Sequence, residues 1–263
     1  MRQTLYYKGM RAFARALFPK SEMRFETEPP DEPIVLIGNH SSVRGPIMLT
    51  LDDPRPHRTW AIHSASDRAQ AASYAYHDIF FGNSRRVKWF WRIPAAILGV
   101  ALPPLLIQSG TIPVYHDSRI LSTLRESIRA MQEGSDIVIF AESPVRYSEY
   151  VNELQPGFTD LARLWYKKTG KRLAFYPFYA EKKNRVIAVG KPIVFDPDLP
   201  AHQQQQIAEY LRDEIDRLGR SLPPHTPVPF LPPLWYRGYA AYEHAFLQYW
   251  LMIEHESKQD PPA

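Results

Sequence analysis

A chain of 263 residues with 44% apolar side chains is long enough for one large α/β domain and too apolar for global disorder. It has no cysteine, which excludes a disulfide framework, thiolate metal ligands and a thiol nucleophile. The net charge of +4 is a mild basic excess that suits anionic partners without choosing among phosphate, acidic lipid and nucleic acid.

Residues 4–18 repeat apolar side chains at Tyr6, Met10, Phe13 and Leu17, which is helical spacing, with Lys8, Arg11 and Arg15 on another face. A basic amphipathic helix of this kind either lies in a lipid interface or packs on the domain. No continuous apolar core of a signal peptide precedes or overlaps it. Pro29, Pro30 and Pro33 then form a non-helical connector. Residues 34–37 read as a buried strand that runs into the polar turn NHSSVRG. Pro46 suits the first turn of a short helix over 46–51. A second strand is predicted at 59–63, and 66–77 is weakly helical.

The stretch SRRVKWFWRIPAAILGVALPPLLI follows. Its Arg85, Arg86, Lys88 and Arg92 interleave with Trp89, Phe90 and Trp91 before an apolar run to Ile107. Basic and tryptophan side chains suit the boundary of an anionic bilayer. Aromatics between cations also stack on bases, but the adjoining apolar run favours lipid, and a core helix with a solvated start is the structural alternative. The run holds three prolines and is short for a simple membrane span.

Further on, 111–115 reads as a strand and Ser118 as the cap of an amphipathic helix ending at Gly134. Its Ile120, Leu121, Leu124, Ile128 and Met131 share one face. A strand at 137–140 leads into Ala141 and Glu142. A helix over 157–168, strands at 173–179 and 185–189, and a helix carrying Ile207, Leu211, Ile215 and Leu218 complete the pattern. From 223 the chain is proline-rich, and an aromatic helix is predicted near 239–255. Strands alternating with helices predict an α/β fold, a mixed, largely parallel sheet flanked by helices. The expected organisation is an N-terminal amphipathic helix over 1–28, an α/β domain over 29–222, and a connector with a C-terminal helix over 223–263.

Ligands of such sheets gather beyond the carboxyl ends of strands. NHSSVRG, HDS and AESPVR each follow a predicted strand, so His40, His116 and Glu142 are expected on one rim. No histidine pair has convincing metal spacing, and no metal is expected.

NHSSVRG resembles the first motif of the glycerolipid acyltransferase family, N-H-x-S-x-x-D, through Asn39, His40 and Ser42. SGTIPVYH resembles the second block, with Gly110, Ile112 and Val114 in place, and IVIFAES the third, with Phe140 and Glu142. LQPGFTDLA and LAFYPFYA are similar to the blocks that follow, the latter through Pro177. The resemblance spans residues 34–195. It implies acyl transfer from acyl carrier protein or acyl-CoA, as donor substrates with no bound cofactor, to a lysophospholipid or related hydroxyl. It implies His40 as the base, with Ser42, Gly110, His116, Glu142 and Arg146 binding substrate. It also implies a cytoplasmic protein, peripheral at the inner face of a membrane, with the lipid surface as partner and no nucleic acid.

The departures fall on functional positions. Gly45 stands where the family has its acid, His116 where it has arginine, and Ala141 and Ser143 flank Glu142. Asp52 and Asp53 are expected to point away from His40, whereas Glu142 shares its rim. Impaired or altered catalysis, or a non-catalytic lipid-binding protein on the same fold, is the corresponding expectation. An aspartate reintroduced at position 45 is expected to test whether the remaining site is intact.

Overall fold

The computed structural model describes residues 4–41, 43–81, 89–115, 117–143, 150–198 and 203–228. The predicted C-terminal helix and the cations Arg85, Arg86 and Lys88 lie outside them. In chain order the elements are α1 (Leu5–Leu17), β1 (Glu22–Phe25), β2 (Val35–Gly38), α2 (Arg44–Asp52), β3 (His57–Ile62), α3 (His63–Ser66), α4 (Ala71–Tyr74), α5 (Arg92–Gln108), β4 (Ile112–Val114), α6 (Ile120–Gln132), β5 (Asp136–Ile139), α7 (Asp160–Thr169), β6 (Ala174–Glu181), β7 (Val186–Val189), β8 (Ile193–Val194) and α8 (Gln203–Ser221). A π-helical segment, Ala75–Phe81, continues α4.

The strands form one sheet in the order β1-β7-β6-β2-β5-β3-β4, with β8 beside β6. All pairs are parallel except β6 with β7 and β6 with β8, so the sheet is mixed and largely parallel, as expected. Its two faces follow from side-chain alternation along the strands. Val35 and Ile37 of β2 join the core under α6, α7 and α8. Ile34 and Leu36 point the other way, to Phe18 and to Met48, Leu49 and Leu51 of α2. Both faces are covered, which is why β2 is an apolar run throughout and β5 is one after its first residue, Asp136.

Several local expectations are corrected. His63 is not strand but the first residue of α3. Ser118 does not cap α6: the helix enters through Arg119, whose N–H is held by Asp117 Oδ1 at 2.9 Å. Leu121, placed on the buried face of α6, is exposed. The edge strand β1 has no counterpart among the predicted strands. It pairs with β7 from Glu22↔Val186 to Phe25↔Val189.

At the amino edge of the sheet, buried Asp136 accepts from the Ile34 N–H at 2.9 Å and pairs with Arg55 at 2.5 and 3.0 Å. Helix α5 packs by its small residues. Ala95, Gly99 and Pro103 are its buried positions, and a Cβ on Gly99 would fall 2.6 Å from the Ala72 backbone of α4. Pro103 and Pro104 lie inside this helix. Among the described residues no helix is long and apolar enough to cross a membrane.

Candidate active site

Strand β2 delivers Asn39 and His40 to the carboxyl rim. Asn39 is buried, and its side chain continues the sheet beyond Gly38. Its Oδ1 accepts from the Ala180 N–H at 2.7 Å, and its Nδ2 donates to the Ala180 carbonyl at 3.3 Å and to Ser41 Oγ at 2.5 Å. A primary amide has one acceptor and two donors, and here each is used. Ser41 turns the chain at φ 45°, a left-handed conformation uncommon for a residue with a side chain.

The β2–β5 register pairs Val35 with Ile137, and the same offset brings His40 level with Glu142. The two meet: the His40 N–H donates to Glu142 Oε1, while Oε2 accepts from the Asn152 N–H at 2.9 Å. The returning segment closes over the glutamate through Ser143 N–H to the Glu153 carbonyl at 2.6 Å and Gln155 N–H to the Ala141 carbonyl at 2.9 Å. Glu142 therefore grips the backbone of the histidine turn. Burial pushes its carboxyl up to about 7, with the amides of Asn152 and His40 pulling the other way.

The His40 ring packs edge-on against Phe140 at 5.3 Å, and Phe140 packs edge-on against Phe178 at 5.7 Å. Burial pushes this imidazole down to about 4. It is thus neutral at physiological pH, the form able to accept a proton. Asp52 and Asp53 are engaged elsewhere, as expected. Asp52 accepts from the Ser21 N–H at 3.0 Å and pairs with Arg15 at 2.7 Å, and Asp53 pairs with His57 at 3.1 Å.

Gly45 is buried in the first turn of α2, its N–H donating to the His40 carbonyl at 3.2 Å. A Cβ built there would lie 2.3 Å from the Asn39 carbonyl oxygen, 3.1 Å from Phe140 Cε1 and 3.2 Å from the His40 carbonyl oxygen. The expectation that an aspartate at 45 tests an otherwise intact site is overturned. Any side chain there first collides with the turn that carries His40.

His40 and Glu142 are brought together, and Gly110 is not. Gly110 turns the chain at φ 77° from α5 into the amino end of β4, where its carbonyl accepts from Arg58 Nε at 2.7 Å. Ser42, His116 and Arg146 lie outside the described residues. Two features escape the motifs. One is the bidentate role of Asn39: the first motif includes this residue, but nothing in the motif's spacing signals what its amide holds. The other is His63, which follows β3 on the same rim. The His63 ring stacks on Tyr115 at 4.5 Å, and its Nε2 lies 3.4 Å from Asp67 Oδ2. Among the described residues no group of His, Asp or Glu could hold a metal ion.

No protein-family model matches the chain, and no curated protein does. Among solved structures it is similar to the 1-acyl-sn-glycerophosphate (LPA) acyltransferase PlsC from Thermotoga maritima. The identity is 12% and the TM-score 0.48, over 83% of this chain and 81% of that one.

Proposed function

We propose that this protein transfers an acyl group from an acyl thioester, acyl-CoA or acyl carrier protein, to the hydroxyl of a lysophospholipid or related amphiphile. The observation that supports this most is the hydrogen bond by which Glu142 holds the His40 turn, tying together the two blocks with the most specific motif resemblance. In the step, a ring nitrogen of His40 takes the acceptor's O–H proton as that oxygen attacks the thioester carbon. The C–S bond breaks, and the departing sulfur receives the proton from the imidazolium, leaving an ester and a free thiol. Ser42, His116 and Arg146 belong to the acceptor side of this reading, and Gly110 shapes the approach to β4.

Without an acid at 45 the imidazolium lacks its usual support. In the serine-protease triad, neutralising the acid lowers kcat by about 10⁴, which is ~5 kcal/mol of barrier. A slow enzyme, or one with an altered acceptor, follows. The protein works as a peripheral protein at the inner face of a membrane, where an amphiphilic acceptor resides.

The packing of Gly45 favours a second reading, a lipid-binding protein without catalysis. An assay of the full chain separates the two. Acyl-CoA and acyl carrier protein thioesters are supplied with a panel of lysophospholipids and long-chain alcohols, beside His40→Ala. Ester formation that falls by roughly 100-fold or more in the variant supports the enzyme. Equal turnover in both proteins, or none in either, sinks it.

A further inference from the structure

Helices α1 and α5 bury the wrong residues for ordinary core helices. In α5 the buried stripe is the small one, Ala95, Gly99 and Pro103, while Ile93, Ile97 and Val100 face out, the last two 66% and 79% exposed. In α1, Tyr7 turns inward while Leu5, Phe13 and Leu17 face out, Leu5 at 89% and Phe13 at 61%. Single exposed apolar residues need no explanation, but two aligned faces do.

The helices are joined. The Thr4 N–H and Oγ1 both donate to Gln108 Oε1, at 2.9 and 2.7 Å, and Tyr6 Oη donates to the Ala101 carbonyl at 2.7 Å. Their outward faces therefore adjoin. Neither helix contains an aspartate or glutamate, whereas α1 carries exposed Lys8 and Arg11 and α5 opens on exposed Arg92. Apolar faces on two helices that carry cations and no acid match the layered chemistry of an anionic bilayer surface, hydrocarbon below and phosphate above. A second copy fits less well, since a twofold contact through this face would set the two basic borders against each other.

We infer that α1 and α5 together form a docking surface that lies in the plane of an anionic bilayer, with Ile93, Ile97, Val100, Leu5, Phe13 and Leu17 in the acyl boundary and Lys8 and Arg11 at the phosphates. This rests on the peripheral-membrane part of the proposed function and not on catalysis. It explains why a helix with a single charged residue is half-exposed, and it requires no segment to span the membrane.

The test is flotation of the purified full chain with phosphatidylcholine vesicles and with vesicles containing roughly one quarter phosphatidylglycerol. Ile97→Asp with Val100→Asp, and separately Phe13→Asp, should lower partitioning by at least about tenfold each on both vesicles. Lys8→Glu with Arg11→Glu should cost ~30-fold or more on anionic vesicles and little on neutral ones. The substituted sites are exposed, so thermal midpoints should match wild type, and sedimentation should give the same mass for all. Three results overturn the surface: wild type that binds neither vesicle, apolar variants that bind like wild type, or wild type that sediments as a dimer which the apolar variants dissolve. Turnover of a short-chain, water-soluble acceptor, measured in parallel, reports on His40 alone. Loss of vesicle binding with turnover intact, or the reverse, shows which proposal has failed.

Discussion

Replacing Gly45 by alanine isolates the feature that most constrains the histidine turn. A new methyl group would sit 2.3 Å from the Asn39 carbonyl oxygen, about 1 Å inside normal contact. That oxygen belongs to the backbone between β2 and α2, and Phe140 and the His40 carbonyl close the other directions. Relief requires movement of the turn rather than of a side chain, which places the cost at or above ~3 kcal/mol, the upper end for overpacking. Helix propensity offsets about 1 kcal/mol of it. At roughly 2–4 °C per kcal/mol for a chain of this size, the net change lowers Tm by about 4–8 °C. Gly9→Ala is the control. Gly9 is helical, and nothing lies within 4 Å of the place its new methyl group would take, so only propensity acts, and Tm should rise by about 2–4 °C. Thermal unfolding followed by circular dichroism reads both. A Gly45→Ala midpoint equal to or above wild type would refute the steric reasoning, as would a Gly45→Asp protein as stable as wild type with raised acyl transfer.

Three further outcomes follow from the rim. Asn39→Ala strips partners from the buried N–H and carbonyl of Ala180 and should destabilise by about 2–4 kcal/mol, read from the denaturant midpoint at unchanged slope. Loss below ~1 kcal/mol would mean the amide is dispensable to the sheet end. Glu142, raised from 4.5 to about 7, contributes stability that is fully present below pH 4.5 and lost as pH rises through about 7. The margin of wild type over Glu142→Gln should therefore narrow across that window, by at most ~1.4 kcal/mol per pH unit. His40, lowered from 6.5 to about 4, has the opposite sign: its contribution is present above 6.5 and lost as pH falls through about 4. The margin over His40→Asn should widen as pH rises from 4 to 6.5, and a flat margin in either series would contradict the burial of that group.

Strands that are apolar on both faces, such as β2 and β5, were readable because burial leaves an unbroken run. The edge strand β1 was not: exposed Glu22 and Arg24 alternate with half-buried Met23 and Phe25, but four residues of alternation beside the charged run that follows are too short to stand out. The pairing of His40 with Glu142 was legible as two polar segments after two strands. What Glu142 holds was not, because its acceptors reach backbone amides, which every residue has. Gly110 was assigned to the substrate by its motif, yet the chain direction of β4 puts it at the end of the sheet away from His40. The steric role of Gly45 was invisible in sequence, where a glycine reads as a missing acid and not as a fitted contact.

The proline pair in α5 would limit how far that helix sinks into the proposed bilayer surface. Pro103 and Pro104 lack the N–H groups that would answer the carbonyls of Gly99 and Val100 one turn earlier. An orphan carbonyl costs several kcal/mol in hydrocarbon but nothing where water reaches it. On the docking surface proposed above, the two residues would act as a waterline: the outward flank would meet lipid tails, while the proline-interrupted turn would stay at the level of the protein and the water.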